Sequence, residues 1–459
     1  MLLLINAVGL TQRLLASAPR LTQLAREGWV RPLHETIPAV TCSAQATMLT
    51  GCTPEQHGIV GNGWLYRDTM EVRFWQQSNY LIEAEPLYVT ARRRAARRGQ
   101  EFHCAKLFWW FNQGADVSIS VTPKPHYGVD GNKVFGITGT PIGFPEMLEQ
   151  KLGSFPFSSF WGPMAGIRST QWIAKAGATV LRENRPDLTL VYLPHLDYDP
   201  QRFGPAGCDM SRQVRALDDA CAPLLDAART VGASVWVVSE YGHCDVNMPV
   251  YLNRLLRNAG MLSVREGPFG EQLDIFGSRA FAVCDHQLAH IYVPDPGDFP
   301  KVHQVFARLP GIARLLQGEE RADIGLRHQR AGDIIALAEP WAWFAYPFWG
   351  EDRNAPDYAR TVAIHHKPGY DPCELFFNPK LPMVKARAAL RLLQKTLGFR
   401  MKMDVIPLDA AIVRGSHGLR AAKPEDRPVL IGAGQAPPNE LPMTAIRDLL
   451  LRELNLESE

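Results

Sequence analysis

The sequence predicts an α/β protein built on a mostly parallel sheet, and two observations carry that prediction. Apolar runs at Leu2 to Val8, Leu188 to Leu193 (LTLVYL) and Ala233 to Ser239 (ASVWVVS) lack the alternation of a half-solvated strand, so they read as strands covered on both faces. Between them lie segments with helical spacing, and strands alternating with helices give a parallel sheet. A third observation sets the scale: 459 residues, 46% hydrophobic and 21% charged, can bury a large core as one domain with insertions or as two or three domains.

The elements follow in chain order. After the first strand, Leu14, Leu15, Leu21 and Leu24 set a helix over Thr11 to Arg26. The start MLLLINAVGL is too short to span a bilayer and lacks a basic leader and a cleavage site, so a cytoplasmic protein without a membrane segment is expected. A formal charge of +2 gives no field for a nucleic-acid polymer, and Arg92, Arg93, Arg94, Arg97 and Arg98 read as a solvated helix face. Eight scattered cysteines without a CxxC pair read as reduced thiols. Trp172 to Arg182 is a helix, and a second runs from Met210 to Thr230 with Pro223 a candidate kink. Beyond come a strand-like stretch Arg279 to Val293, a helix near Val302 to Leu309, a strand Asp333 to Leu337 and a terminal helix Thr444 to Leu456.

The stretch Pro38 to Trp64, PAVTCSAQATMLTGCTPEQHGIVGNGW, is the candidate active site. Thr41, Cys42 and Ser43 ahead of AQATML mark a strand-to-helix junction, where a hydroxyl or thiol caps backbone N–H groups or meets an anion drawn to the helix start. Thr41, Thr50-Gly51 and the run Pro54 to Asn62 (PEQHGIVGN) resemble the type I phosphodiesterase/nucleotide pyrophosphatase branch of the alkaline phosphatase superfamily. The resemblance implies a three-layer αβα sandwich carrying loop-rich insertions. It also implies Thr41 as the phosphoryl-accepting nucleophile and Asn62, twenty-one residues on, as donor to a phosphoryl oxygen. Cys42-Ser43-Ala44-Gln45-Ala46 has no Pro or Arg where the related sulfatases need them.

The same resemblance implies a metal site with an altered ligand set. Where the family's first strand ends in Asp, this chain has Val8, with Asn6 the nearest polar side chain. In VYLPHLDYDPQRFGP, Asp197 matches a metal-binding Asp, while Gln201 stands in place of a His. After the strand ASVWVVS, Glu240 replaces Asp and Tyr241 replaces His, with His243 two residues later as a possible substitute. His417 in GSHG matches the last ligand, and Arg427 to Gly432 the strand after it. The resemblance therefore implies one or two divalent ions per chain, zinc or manganese. Asp197, Glu240, Gln201 and one imidazole would favour manganese or magnesium, unless His243, Asp285, His286 or His365 enters the site.

The expected organisation is core at 1–100, an aromatic and Pro/Gly-rich lid at 101–184, core at 185–300, a second insertion at 301–404 and core at 405–459. Lys106, Lys124, His126 and Tyr127 would meet an anionic substrate from the first insertion. Asp285 and His286 would bind metal, meet substrate or make a buried hydrogen bond. From the second insertion, the cluster IHHKPGYD would bring His365 to the site as a ligand, and Tyr370 and Asp371 to the substrate. The resemblance thus implies a metal-dependent hydrolase of a small phosphodiester, nucleotide pyrophosphate or phosphonate. Two alternatives remain: an inactive protein of the same fold that binds a phosphorylated small molecule, and a different hydrolase chemistry. The oligomeric state is open.

Overall fold

A computed structural model of the chain describes residues 1–129, 133–399 and 401–457. The side chains of Tyr127, Lys133, Lys395 and Thr396 lie outside that description, and with them the expected contact of Tyr127 with substrate.

The strand Leu2–Ala7 has every residue buried and lies inside a nine-stranded sheet. It runs parallel to Leu188–Leu193 on one side and to Ser234–Val238 on the other, with Leu2 opposite Leu188 and Ser234. In spatial order the sheet reads Leu441–Pro442, Trp29–His34, Val429–Gly432, Ser234–Val238, Leu2–Ala7, Leu188–Leu193, Cys104–Leu107, Ile119–Tyr127 and Lys133–Thr140. Among the described residues, Val429–Gly432 and Lys133–Thr140 are the strands that run against their neighbours. Central strands buried on both faces need helices on both sides. One layer is formed by Ile167–Glu183 and Met210–Val231, packed on each other, and the other by Thr41–Thr50, Leu87–Arg97 and Ile446–Glu453. Met210–Val231 continues through Pro223.

Two expectations change. The predicted helix Thr11 to Arg26 is a 3₁₀ segment, Gln12–Ser17, followed by an α-helix, Pro19–Glu27. Pro19 disfavours helical backbone at Ala18 and itself suits the first helical position, so it starts a new helix. The stretch 101–184, expected as an insertion without regular pattern, supplies three strands to the edge of the central sheet. Pro123 and Pro125 hid this. They sit where Ile119–Tyr127 has run past Cys104–Leu107, so no neighbour on that side calls for their missing N–H groups.

A separate antiparallel sheet, in the order Phe281–Asp285, Leu288–Tyr292, Ile334–Ala338 and Ile312–Gln317, has its own apolar core around Phe281, Tyr292, Phe344 and Trp349. It meets the central sheet near the carboxyl ends of the parallel strands. There Ala7 lies opposite Leu193 and Asn6 opposite Val238, and this is the edge where open α/β sheets hold ligands. No helix among the described residues is long and apolar enough to cross a membrane.

Candidate active site

Thr41 opens the helix Thr41–Thr50, all ten residues of which are buried. Val40 occupies the cap position, so neither Thr41 nor Ser43 caps this helix; Ser43 Oγ donates instead to Pro38 O at 2.6 Å. The cap comes from Asn62, whose Oδ1 accepts from Cys42 N at 3.1 Å. The sequence between them makes this closure. Gly51 ends the helix at φ +69°, and Thr53 and Gln56 form a capping box on the short helix Pro54–His57. His57 then donates from Nε2 to Thr47 Oγ1 (3.0 Å) while its Nδ1 accepts from Ile59 N (3.1 Å), which ties the loop to the helix. Asp285 holds Asn62 from the far side: Oδ2 accepts from Asn62 N at 2.7 Å and Oδ1 from Nδ2 at 3.1 Å. Burial pushes the Asp285 carboxyl up to about 7 against these two bonds.

Three ligand-type side chains converge beside Thr41. One atom each from Asp197, His243 and His417 lies within 4.8 Å of the others. His243 Nε2 is 3.1 Å from Asp197 Oδ1 and His417 Nε2 is 3.7 Å away. His417 Nδ1–H donates to Ala39 O at 2.8 Å, so its Nε2 is the bare nitrogen, buried and without a hydrogen-bond partner among the described residues. Burial and the neighbouring His286 and His243 rings hold His417 well below the usual range, hence neutral. Burial pushes the Asp197 carboxyl up, but the two histidines outweigh it and leave the group below its ordinary value.

Tyr241 takes the place next to this cluster. Its ring stacks on His417 at 3.7 Å and 6°, and its hydroxyl lies 3.0 Å from Thr41 Oγ1 and donates to Asp197 Oδ1 at 3.2 Å. Glu240 faces away from the three ligands: Oε1 accepts from Asn6 Nδ2 (2.6 Å) and from Gln45 Nε2 (2.7 Å), and burial raises its carboxyl to about 8. Gln201 Oε1 accepts from Tyr370 O–H at 2.7 Å. His243 thus brings a second imidazole to the cluster, which corrects the oxygen-rich donor set expected from the sequence.

The remaining candidates divide by place. Lys124 and His365 line a cleft that opens over Thr41 and Asp197, with His365 Nδ1–H donating to Phe74 O at 3.2 Å. His126 is exposed on the edge hairpin. Lys106 is fully buried, donating to Phe111 O at 2.8 Å with its ammonium over the Tyr88 ring, so it meets no substrate. His286 and Tyr370 stack at 3.9 Å as a wall behind His417. Asp371 is taken up in its own loop by Lys367 Nζ (2.7 Å) and Cys373 N (3.0 Å). The sequence reading passed over Gln45, which joins Glu240 to Trp110 N; its position four residues after Thr41, on the same helix face, was the available signal.

Comparisons with known proteins agree with this geometry. Human ectonucleotide pyrophosphatase/phosphodiesterase family member 1 is 22% identical over 262 residues, 54% of this chain and 24% of the relative. The chain spans about a quarter of the length of the curated relatives it matches. Murine ectonucleotide pyrophosphatase/phosphodiesterase 5 superposes with a TM-score of 0.58 at 15% identity, covering 100% of this chain and 96% of that one. Phosphonoacetate hydrolase from Sinorhizobium meliloti, in complex with phosphonoacetate, gives 0.61 at 17%, covering 99% and 95%. These likenesses show the shared fold. The profile of type I phosphodiesterase / nucleotide pyrophosphatase matches residues 2–371, well over half of the chain, and the protein therefore belongs to that family of hydrolytic enzymes.

Proposed function

We propose that this chain hydrolyses a phosphoester through a covalent Thr41 intermediate, with one divalent ion held by Asp197, His243 and His417. The observation that carries the reading is the junction itself: Thr41 Oγ1 lies at the base of the cleft, with Asn62 clamped across the helix start and the bare His417 nitrogen nearby. Two imidazoles and a carboxylate are a common three-ligand set for catalytic zinc, so the residues present fit one ion. Bound there, it supplies Lewis-acid stabilisation of the charge on the phosphoryl oxygens. Val8 is apolar and fully buried, and Tyr241 stands beside Thr41, which argues against a second ion of the family pattern.

The chain's own groups do the rest. Tyr241 O–H points to Asp197, so Thr41 O–H donates to the phenol oxygen and keeps its lone pairs for phosphorus. Attack forms the Thr41 O–P bond and breaks the bond to the leaving alkoxide, which takes a proton from solvent. One Asn62 Nδ2 hydrogen is held by Asp285, leaving the other for a non-bridging oxygen. Water then cleaves the Thr41 O–P bond. Support comes from the family and from relatives whose structures hold AMP or phosphonoacetate.

Turnover of bis-p-nitrophenyl phosphate tests the reading. Thr41→Ala is expected to lower kcat by about three orders of magnitude or more, while Cys42→Ala keeps most of it, because burial pushes the Cys42 thiol well above its ordinary value. Loss of activity in Cys42→Ala with retention in Thr41→Ala would overturn the assignment.

A further inference from the structure

The cleft over Thr41 and Asp197 has a volume of about 1350 Å³. Ordinary small-molecule sites occupy roughly 300–1,000 Å³, so a compact phosphoester would leave much of it filled with water. Its walls are mostly apolar. Phe160, Trp161 and Met164 form one side, and Ala388, Leu392 and Met403 another. Polar groups are few: Gln76, Gln77 and Gln113 lie on the Trp75 side, and Lys124, Lys385 and Lys402 are exposed.

A second observation is independent of the cavity. The helix Val384–Thr396, whose Ala388, Ala389 and Leu392 line the cleft, also carries Leu390 and Leu393, 56% and 54% exposed, and just beyond it Leu397 and Phe399 are each 64% exposed. Across the cleft Phe135 is 49% exposed. Apolar side chains therefore continue from the interior of the cleft to its rim. Such a contiguous patch on a soluble surface marks an apolar ligand or a lipid interface.

We infer that the substrate is an amphiphile: a phosphodiester whose phosphorus sits at Thr41 and whose long alkyl or acyl chain lies between the Phe160–Met164 loop and the helix Val384–Thr396. This rests on the hydrolase reading for the position of the phosphate, and on the cleft walls alone for the chain. Nucleobase recognition would need convergent polar groups deep in the cleft, whereas each methylene laid against these walls should strengthen binding by about fourfold.

The test separates the two readings. Binding of ethyl, butyl, octyl and decyl phosphate as monomers to metal-loaded Thr41→Ala is measured by calorimetry. Affinity should rise at least about a hundredfold from ethyl to decyl, and Ala388→Trp and Met164→Glu should each reduce that ratio at least tenfold. Equal affinity along the series, tighter binding of thymidine 5′-phosphate than of decyl phosphate, or a gain that appears only in phosphatidylcholine vesicles and ignores both substitutions would overturn the inference. In parallel, the wild type is given p-nitrophenyl ethyl and p-nitrophenyl decyl phosphate. Turnover of both at the same kcat/KM sinks the chain inference and leaves the hydrolase intact; turnover of neither, with the binding series as expected, sinks the hydrolase and leaves the chain site.

Discussion

Asn62 does two jobs with one amide, and Asp285 decides how well it does them. The carboxamide oxygen caps the nucleophile helix through Cys42 N, and the nitrogen is oriented by Asp285, so rotation of the group would break both bonds. Asp285→Ala should therefore lower kcat for bis-p-nitrophenyl phosphate by about tenfold to a hundredfold, a range typical of groups that orient a transition-state donor, with a smaller change in KM. Asp285→Asn keeps a carbonyl oxygen for one of the two bonds and should fall between. If both variants unfold at the wild-type temperature and retain full kcat, the clamp has no part in catalysis. The sequence showed Asp285 next to His286 but not what it was for. Its partner lies 223 residues away, and a buried hydrogen bond leaves no spacing pattern.

At the level of elements, the site is made from loops that follow parallel strands, and that part was legible. Fully apolar runs marked the strands Leu2–Ala7, Leu188–Leu193 and Ser234–Val238, and the polar residues just after them, Asp197 and His243, are those that converge with His417. Less legible was where each loop aims its side chains. Glu240 follows its strand by two residues, yet Asn6 and Gln45 turn it from the cluster, and His243 takes the place that Tyr241 would hold by alignment. The antiparallel sheet from Phe281 to Ala338 was also obscure, because its strands are as apolar as the parallel ones and their pairing depends on long-range register. The loops' arrangement makes a metal prediction. Elemental analysis of the purified protein should find one zinc per chain rather than two, and His243→Ala should bring it well below one while Glu240→Gln leaves it near one. Two stoichiometric zincs would mean that Glu240 and Tyr241 rearrange to hold a second ion.

For the whole molecule, the central sheet carries a charge problem that pH can expose. Lys106 lies in the strand Cys104–Leu107, fully buried, with Phe111 O as its one hydrogen-bond acceptor, and burial pushes its ammonium down to about 7. In the unfolded chain the same amine titrates near 10.4. Between these values the unfolded state binds about one proton more than the folded state, so this residue makes stability rise with pH by up to about 1.4 kcal/mol per unit from pH 7 towards 10. Buried thiols act in the opposite sense. Burial raises Cys104 and Cys244 to about 12, so they remain protonated in the fold and lose stability as pH climbs past their unfolded value. The wild-type curve alone therefore does not isolate Lys106, but its difference from Lys106→Met does, since the thiols are common to both. Urea unfolding at pH 7 and pH 10 should show Lys106→Met gaining relative to wild type at the lower pH. At the higher pH it should be the less stable protein, because the Phe111 carbonyl has lost its donor at a cost of about 1–3 kcal/mol. A difference that stays constant between the two pH values would show that Lys106 keeps its proton inside the fold.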